Sequence, residues 1–180
     1  MSPSSGGGRR LLHTRQVTCT GWLRDEGGFE VEGRMQDLTA GATRMAFKAL
    51  EAGEAIHDMR ILMVLDPDMV ITELRATSAV TPAPECPDAA AAYAHLQGLK
   101  VGPGFTHAVK ARVGGALGCT HLTELLGPMA TTALQTLFAR RRETETPSLP
   151  RSRVVDSCHT YRSGGIAIRT LDPRRWEPTK

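Results

Sequence analysis

The stretch MRILMVLDPDMVITELRA, running from Met59 to Ala76, decides the fold. Met59 to Leu65 is nearly all apolar, Asp66-Pro67-Asp68 is a turn, and Met69 to Ala76 returns. In the return strand Val70, Thr72, Leu74 and Ala76 share one face, with Ile71, Glu73 and Arg75 on the other. A side-chain period of two lets one such face cover a core. Working upstream, Arg15 to Trp22 and Phe29 to Met35 read as strands joined through Asp25-Glu26-Gly27-Gly28. The two glycines tolerate the positive φ that a tight hairpin needs. Asp37 to Leu50 is weakly patterned and reads as a loop with a short strand.

Downstream the pattern turns helical. Cys86 takes the N-cap position, Pro87 the first helical position and Asp88 the first turn. Ala89 to Leu96 propagates and Gly98 stops it. A second helix spans Phe105 to Val113 and ends at Gly114-Gly115. The longest starts just after Gly118-Cys119-Thr120. Its stripe is Leu122, Leu125, Leu126, Met129, Ala133, Leu134, Leu137 and Phe138. Gly127-Pro128 predicts a kink in it. Residues 143–152, with two prolines, read as an internal linker. Residues 153–170 read as a C-terminal hairpin, from Val154 to Thr170, turning at Ser163-Gly164-Gly165. Residues 1–10 read as a disordered tail. The expectation is therefore one α+β domain over 11–180: an antiparallel sheet of hairpins packed against about three helices.

Composition narrows the function classes. The 180 residues suffice for one domain with a real core. Charges of both signs are interspersed. The basic runs, Arg9-Arg10, Arg140-Arg141-Arg142 and Arg174-Arg175, flank termini or the linker. No basic stripe interleaved with aromatics is present, which argues against nucleic acid as a partner. No apolar stretch approaches the ~20 residues of a membrane span, and the first ten residues lack the apolar middle of a signal peptide. The expected location is the cytoplasm, where thiols stay reduced.

The four cysteines, Cys19, Cys86, Cys119 and Cys158, therefore need another reading. Cys86 and Cys119 each fall at a predicted helix N-terminus. Free amides and the helix dipole there favour the thiolate, which is both nucleophile and metal ligand. His57, Asp58 and His121 are the other candidate donors. Imidazole, thiolate and carboxylate together suit zinc or an iron centre. The expected site is thus Asp58, Cys86 and Cys119 with His57 or His121 as fourth ligand. Cys19 reads as core, and Cys158-His159 as structural. No G-x-S-x-G, Walker loop or H-E-x-x-H occurs. Two rival readings stay open. One is an interaction module, with Arg140 to Pro150 as an arm for a protein partner. The other is an enzyme with Cys119 as nucleophile and His121 or His57 as base. The i, i+2 spacing on a helix speaks against His121 in that role.

Two resemblances follow from particular residues. Leu12-His13-Thr14-Arg15, Ile56-His57-Asp58-Met59, Gly118-Cys119-Thr120-His121-Leu122 and Cys158-His159 together resemble a bacterial family known as domain of unknown function 2889. That resemblance implies no activity. The order of features from Asp58 to Phe138 resembles the iron–sulfur scaffold proteins of the IscU, SufU and NifU type. It matches Asp58 to their aspartate, Cys86 to their second cysteine, and Cys119-Thr120-His121-Leu122 to their final cysteine block. Ile56 stands where their first cysteine would be, and the chaperone-recognition motif of the IscU branch is missing. The resemblance implies a SufE/NifU-like fold and a zinc or iron–sulfur centre.

Overall fold

The computed structural model describes residues 8–144 and 155–171. The turn at Asp66-Pro67-Asp68 forms as read. Around it lie the strands Ala55–Leu65 and Ile71–Val80. In chain order the strands are β1 (His13–Leu23), β2 (Phe29–Thr39), β3 (Thr43–Arg44), β4 (Ala49–Leu50), β5 (Ala55–Leu65) and β6 (Ile71–Val80). β1, β2, β5 and β6 make a four-stranded antiparallel sheet in that order, and β3 and β4 make a two-stranded ribbon. Gly27 and Gly28, with φ of 90° and 79°, turn β1 into β2.

One face of the sheet is apolar by alternation. Val31, Met35, Met59, Ile61, Met63 and Leu65 on it are all buried. Near the Asp66-Pro67-Asp68 turn the alternation breaks. The register shifts between Val64 and Leu65, so Ile71 pairs with Leu65 while Glu73 pairs with Val64. The irregularity takes up Thr72. Ile71 and Leu74 are consequently both buried and Thr72 is exposed, which corrects the faces expected for that strand.

Helices cover the apolar face. The segment Cys86–Leu96 is a 3-10 helix, α1 spans Phe105–Val113 and α2 spans Thr120–Thr144. The stripe of α2 is buried at Leu122, Leu125, Leu126, Met129, Ala133 and Leu137. The helix runs on through Pro128, which lacks the N–H that the Glu124 carbonyl would otherwise accept from. Two glycines let it come close to the sheet. A Cβ on Gly33 would lie 2.6 Å from Met129 Sδ, and one on Gly21 would meet Thr136 Oγ1. The fold class is therefore α+β, a four-stranded antiparallel sheet packed against helices.

Contacts divide the chain into two compact units, 1–138 and 139–180. In the second, Ile166–Leu171 is a helix and not the return strand of a hairpin. The expected turn does form. Asp156 accepts from the Ser163 backbone N–H and hydroxyl, each at 2.7 Å, and the Gly165 carbonyl then accepts from Arg169 N at 3.1 Å, as in a first helical turn. Val154 lies outside the described residues.

Candidate metal centre

The inward face of β2 reads Phe29, Val31, Gly33, Met35 and then Asp37, a carboxylate where the next apolar residue would stand. Asp37 is only 1% exposed. A buried charge is costly unless it is paired and hydrogen-bonded, and Asp37 is surrounded by basic groups. In register it lies opposite Arg15 on one side and His57 on the other. Arg15 donates from Nε to Oδ1 at 2.7 Å and from Nη2 to Oδ2 at 2.9 Å. His13 Nε2 lies 3.0 Å from Oδ1, and His57 Nδ1 lies 2.9 Å from Oδ2. α2 brings in the fourth group: His121 Nε2 is 3.9 Å from Oδ2. The rings of His57 and His121 lie against each other with centroids 3.9 Å apart. Arg15 also donates to Glu124 of α2 at 2.6 Å, tying the helix to the sheet beside the cluster.

The charges fit this geometry. Burial pushes the Asp37 carboxyl up, but hydrogen bonds from Arg15 and His13 and the charges of Arg15 and His57 more than reverse it, to about 2. The carboxylate raises the Arg15 pKa through the hydrogen bond it accepts, against burial. Burial and the neighbouring His121 lower the His57 pKa, against the pull of Asp37. The cluster thus holds an ionised carboxylate beside an imidazole that favours its neutral form.

A separate set of bonds fixes the start of α2, and with it His121. Tyr93, fully buried on the 3-10 helix, donates its hydroxyl to the Cys119 carbonyl at 2.6 Å and accepts from Cys119 N at 3.1 Å. Its oxygen also lies 2.7 Å from Thr123 Oγ1. The Cys119 carbonyl accepts the first helical bond, from Thr123 N at 2.9 Å. Gly118 permits the approach, since a Cβ there would lie 2.4 Å from the Val113 carbonyl oxygen.

The five expected donors are not gathered into one set. His57 and His121 do come together, with Asp37 as the third member. Asp58 alternates with His57 and faces the other side of the sheet. There it accepts from Arg34 Nε at 2.9 Å and Gln36 at 3.1 Å. The Arg34 bonds hold its pKa low against burial. Cys86 opens a 3-10 helix, not an α-helix, and is half-buried there. Cys119 does precede α2, packed against the core, with Sγ 3.9 Å from His121 Nδ1. Among the described residues the one group of three or more His, Cys, Asp or Glu donors that meets is Asp37, His57 and His121. No cysteine cluster of the kind an iron–sulfur centre needs is present among them, which corrects that expectation.

Asp37, His13 and Arg15 escape the sequence reading for a definite reason. That reading ends the strand at Met35 and leaves Asp37 in a loop, whereas β2 runs on to Thr39. Carrying the alternation two residues further puts a carboxylate on the core face, next to the strand position of His57.

One donor atom from each of Asp37, His57 and His121 lies within 4.8 Å of the others. Two imidazoles and one carboxylate suit first-row transition ions and leave coordination positions open. Arg15 and His13, bonded to the carboxylate from outside, hold it in place as outer partners of a ligand do. Among the described residues no helix is long and apolar enough to cross a membrane. No curated protein and no solved structure matches the chain, and the comparisons give the likeness to iron–sulfur scaffold proteins no support. A family model does match over residues 13–135, a span holding the whole sheet, α1, the three donors and both outer partners. The chain belongs to the family described as Protein of unknown function (DUF2889).

Proposed function

We propose that the protein is a metal-binding protein whose centre is Asp37, His57 and His121, holding a divalent transition ion such as zinc or ferrous iron. The observation that supports this most is the meeting of three donors, from β2, β5 and α2, at the covered end of the sheet. Zinc in four-coordination takes nitrogen and oxygen ligands at ~2.0–2.2 Å, so the donors, within 4.8 Å of one another, would draw together around the ion. Coordination replaces the hydrogen bond between His57 and Asp37 while Arg15 keeps the carboxylate aligned. Three protein ligands leave a position for water or substrate, as in centres that do chemistry. Calorimetric titration with Zn2+ and, without oxygen, with Fe2+ tests the reading. We expect one ion per chain, with binding lost in His57→Ala and His121→Ala and kept in Cys86→Ala. Arg15→Met should weaken it by about 10–100-fold, as the loss of an outer partner does. Binding unchanged in both histidine variants would refute the site.

A second reading rests on a different observation. His121 stands between Cys119 and Asp37, with Nδ1 3.9 Å from the thiol and Nε2 3.9 Å from the carboxylate. Cys119 lies just outside α2, so the helical i, i+2 argument does not separate the two side chains. The order thiol, imidazole, carboxylate is that of a cysteine nucleophile with its oriented base. On this reading iodoacetamide labels Cys119 faster than Cys86 in metal-free protein, and His121→Ala removes the difference. Equal rates in the native chain would exclude it.

A further inference from the structure

The solvent face of the sheet, opposite the three donors, carries an arrangement that the metal reading does not use. In register, Thr18 of β1 lies opposite Arg34 of β2, Arg34 opposite Arg60 of β5, and Arg60 opposite Thr77 of β6. One row across all four strands is thus Thr-Arg-Arg-Thr. The adjoining row is Thr20, Glu32, Leu62 and Arg75. Both rows line a groove of about 410 Å³.

Two arginines directly opposite each other on adjacent strands repel, and like charges in that relation destabilise a sheet. β2 and β5 are its two central strands, so the pair does not serve to block an edge. Arg34 is steadied by Asp58 through Nε and Nη2, and Arg75 is paired with Glu73. Arg60 is exposed and makes no hydrogen bond or salt bridge among the described residues, and it meets Asp58 only through the longer-range pull of its charge. The hydroxyls of Thr18, Thr20 and Thr77 likewise make no hydrogen bond among them. The groove therefore offers guanidinium and hydroxyl donors, with Glu32 as its one carboxylate. Guanidinium groups match the geometry of phosphate oxygens; Asp58 offsets part of the charge from one end of the row, and an oxyanion between Arg34 and Arg60 would add an attraction that both share. Its volume suits a small molecule. The Glu32 side of the groove disfavours a second anionic group there.

We propose that this row binds the phosphate group of a small phosphorylated ligand, with Arg34 and Arg60 on the phosphate and Thr18 and Thr77 at its sides. The site is separate from the Asp37 cluster, because alternate residues of β2 and β5 point to opposite faces.

Calorimetric titration of the full chain with inorganic phosphate tests this, with sodium chloride held constant. We expect saturable one-to-one binding that falls at least tenfold in Arg60→Gln and stays unchanged in Asp37→Asn. Arg60 is exposed and makes no hydrogen bond among the described residues, so Arg60→Gln should unfold near the midpoint of the native chain, and that midpoint, measured alongside, separates a loss of binding from misfolding. Absence of saturable binding, or equal affinity in Arg60→Gln, would overturn the proposal. So would single-stranded RNA that binds through Arg60 and is not displaced by inorganic phosphate, since that places a nucleic acid on the face instead.

Discussion

Asp37 concentrates the physics of the site in one side chain. It is a buried carboxylate that stays ionised because Arg15 and His13 bond to it and Arg15 lends it charge, joined by His57 once acid protonates that ring. Asp37→Asn keeps the shape but removes the charge its donors are arranged around. We expect a loss of about 1–3 kcal/mol in urea unfolding, the cost of leaving hydrogen-bonding groups imperfectly paired. The pH dependence follows from the same bonds. The unfolded carboxyl titrates near ~3.9, above its folded value of about 2. Its stabilisation is complete above the unfolded value and is lost as pH falls toward the folded one. In Arg15→Met, burial prevails and the folded pKa rises, so acid unfolding followed by circular dichroism should shift to higher pH. His57 acts higher in the range. Its lowered folded pKa means that the unfolded chain binds more protons below about 6.5, so stability declines as pH falls through that window. At this scale the sequence reading was half complete. His57 and His121 were legible as candidates from their side-chain chemistry, and the fold brings their rings together. Asp37 was not, because its role depends on where β2 stops.

At the scale of elements, the strands and helices follow local chemistry more closely than the sites they carry. Gly27-Gly28, Pro87 and the apolar stripe of α2 are signals that act within a few residues, and the elements around them form. Register is a longer-range quantity. The shift at Val64 and Leu65 that buries both Ile71 and Leu74 depends on how β5 and β6 pair and leaves no mark in their composition. The short helix after Gly165 also escapes the reading, since Ile166 and Ile168 suit a strand by propensity. Two substitutions probe the packing of α2. Gly33→Val places a branched side chain where even a Cβ would lie 2.6 Å from Met129 Sδ. Overpacking of this kind costs about 1–3 kcal/mol, measurable by chemical unfolding. Tyr93→Phe removes the hydroxyl that Cys119 and Thr123 share. It should cost about 1–3 kcal/mol and raise amide hydrogen exchange in the first turn of α2, with weaker metal binding because His121 sits in that turn.

For the whole molecule, the sheet and the donors belong to the first compact unit, and the family match spans the same region. A chain ending at Thr144 should therefore bind metal with the affinity of the full chain, as calorimetry would show. The α+β class was legible because hairpin turns and one long amphipathic stripe state it directly. The iron–sulfur likeness, which finds no support in the comparisons, followed the order of residues along the chain, whereas coordination depends on which face each residue takes. Asp58 and His57 are adjacent in sequence and lie on opposite sides of the sheet, a difference that alternation alone imposes. X-ray absorption at the metal edge of zinc-loaded protein reads the outcome without any variant. A ligand shell of nitrogen and oxygen at ~2.0–2.2 Å, with the outer scattering of two imidazoles and no sulfur, is the result expected for Asp37, His57 and His121. A sulfur scatterer at ~2.3 Å, or the absence of any ion retained through gel filtration, would contradict it.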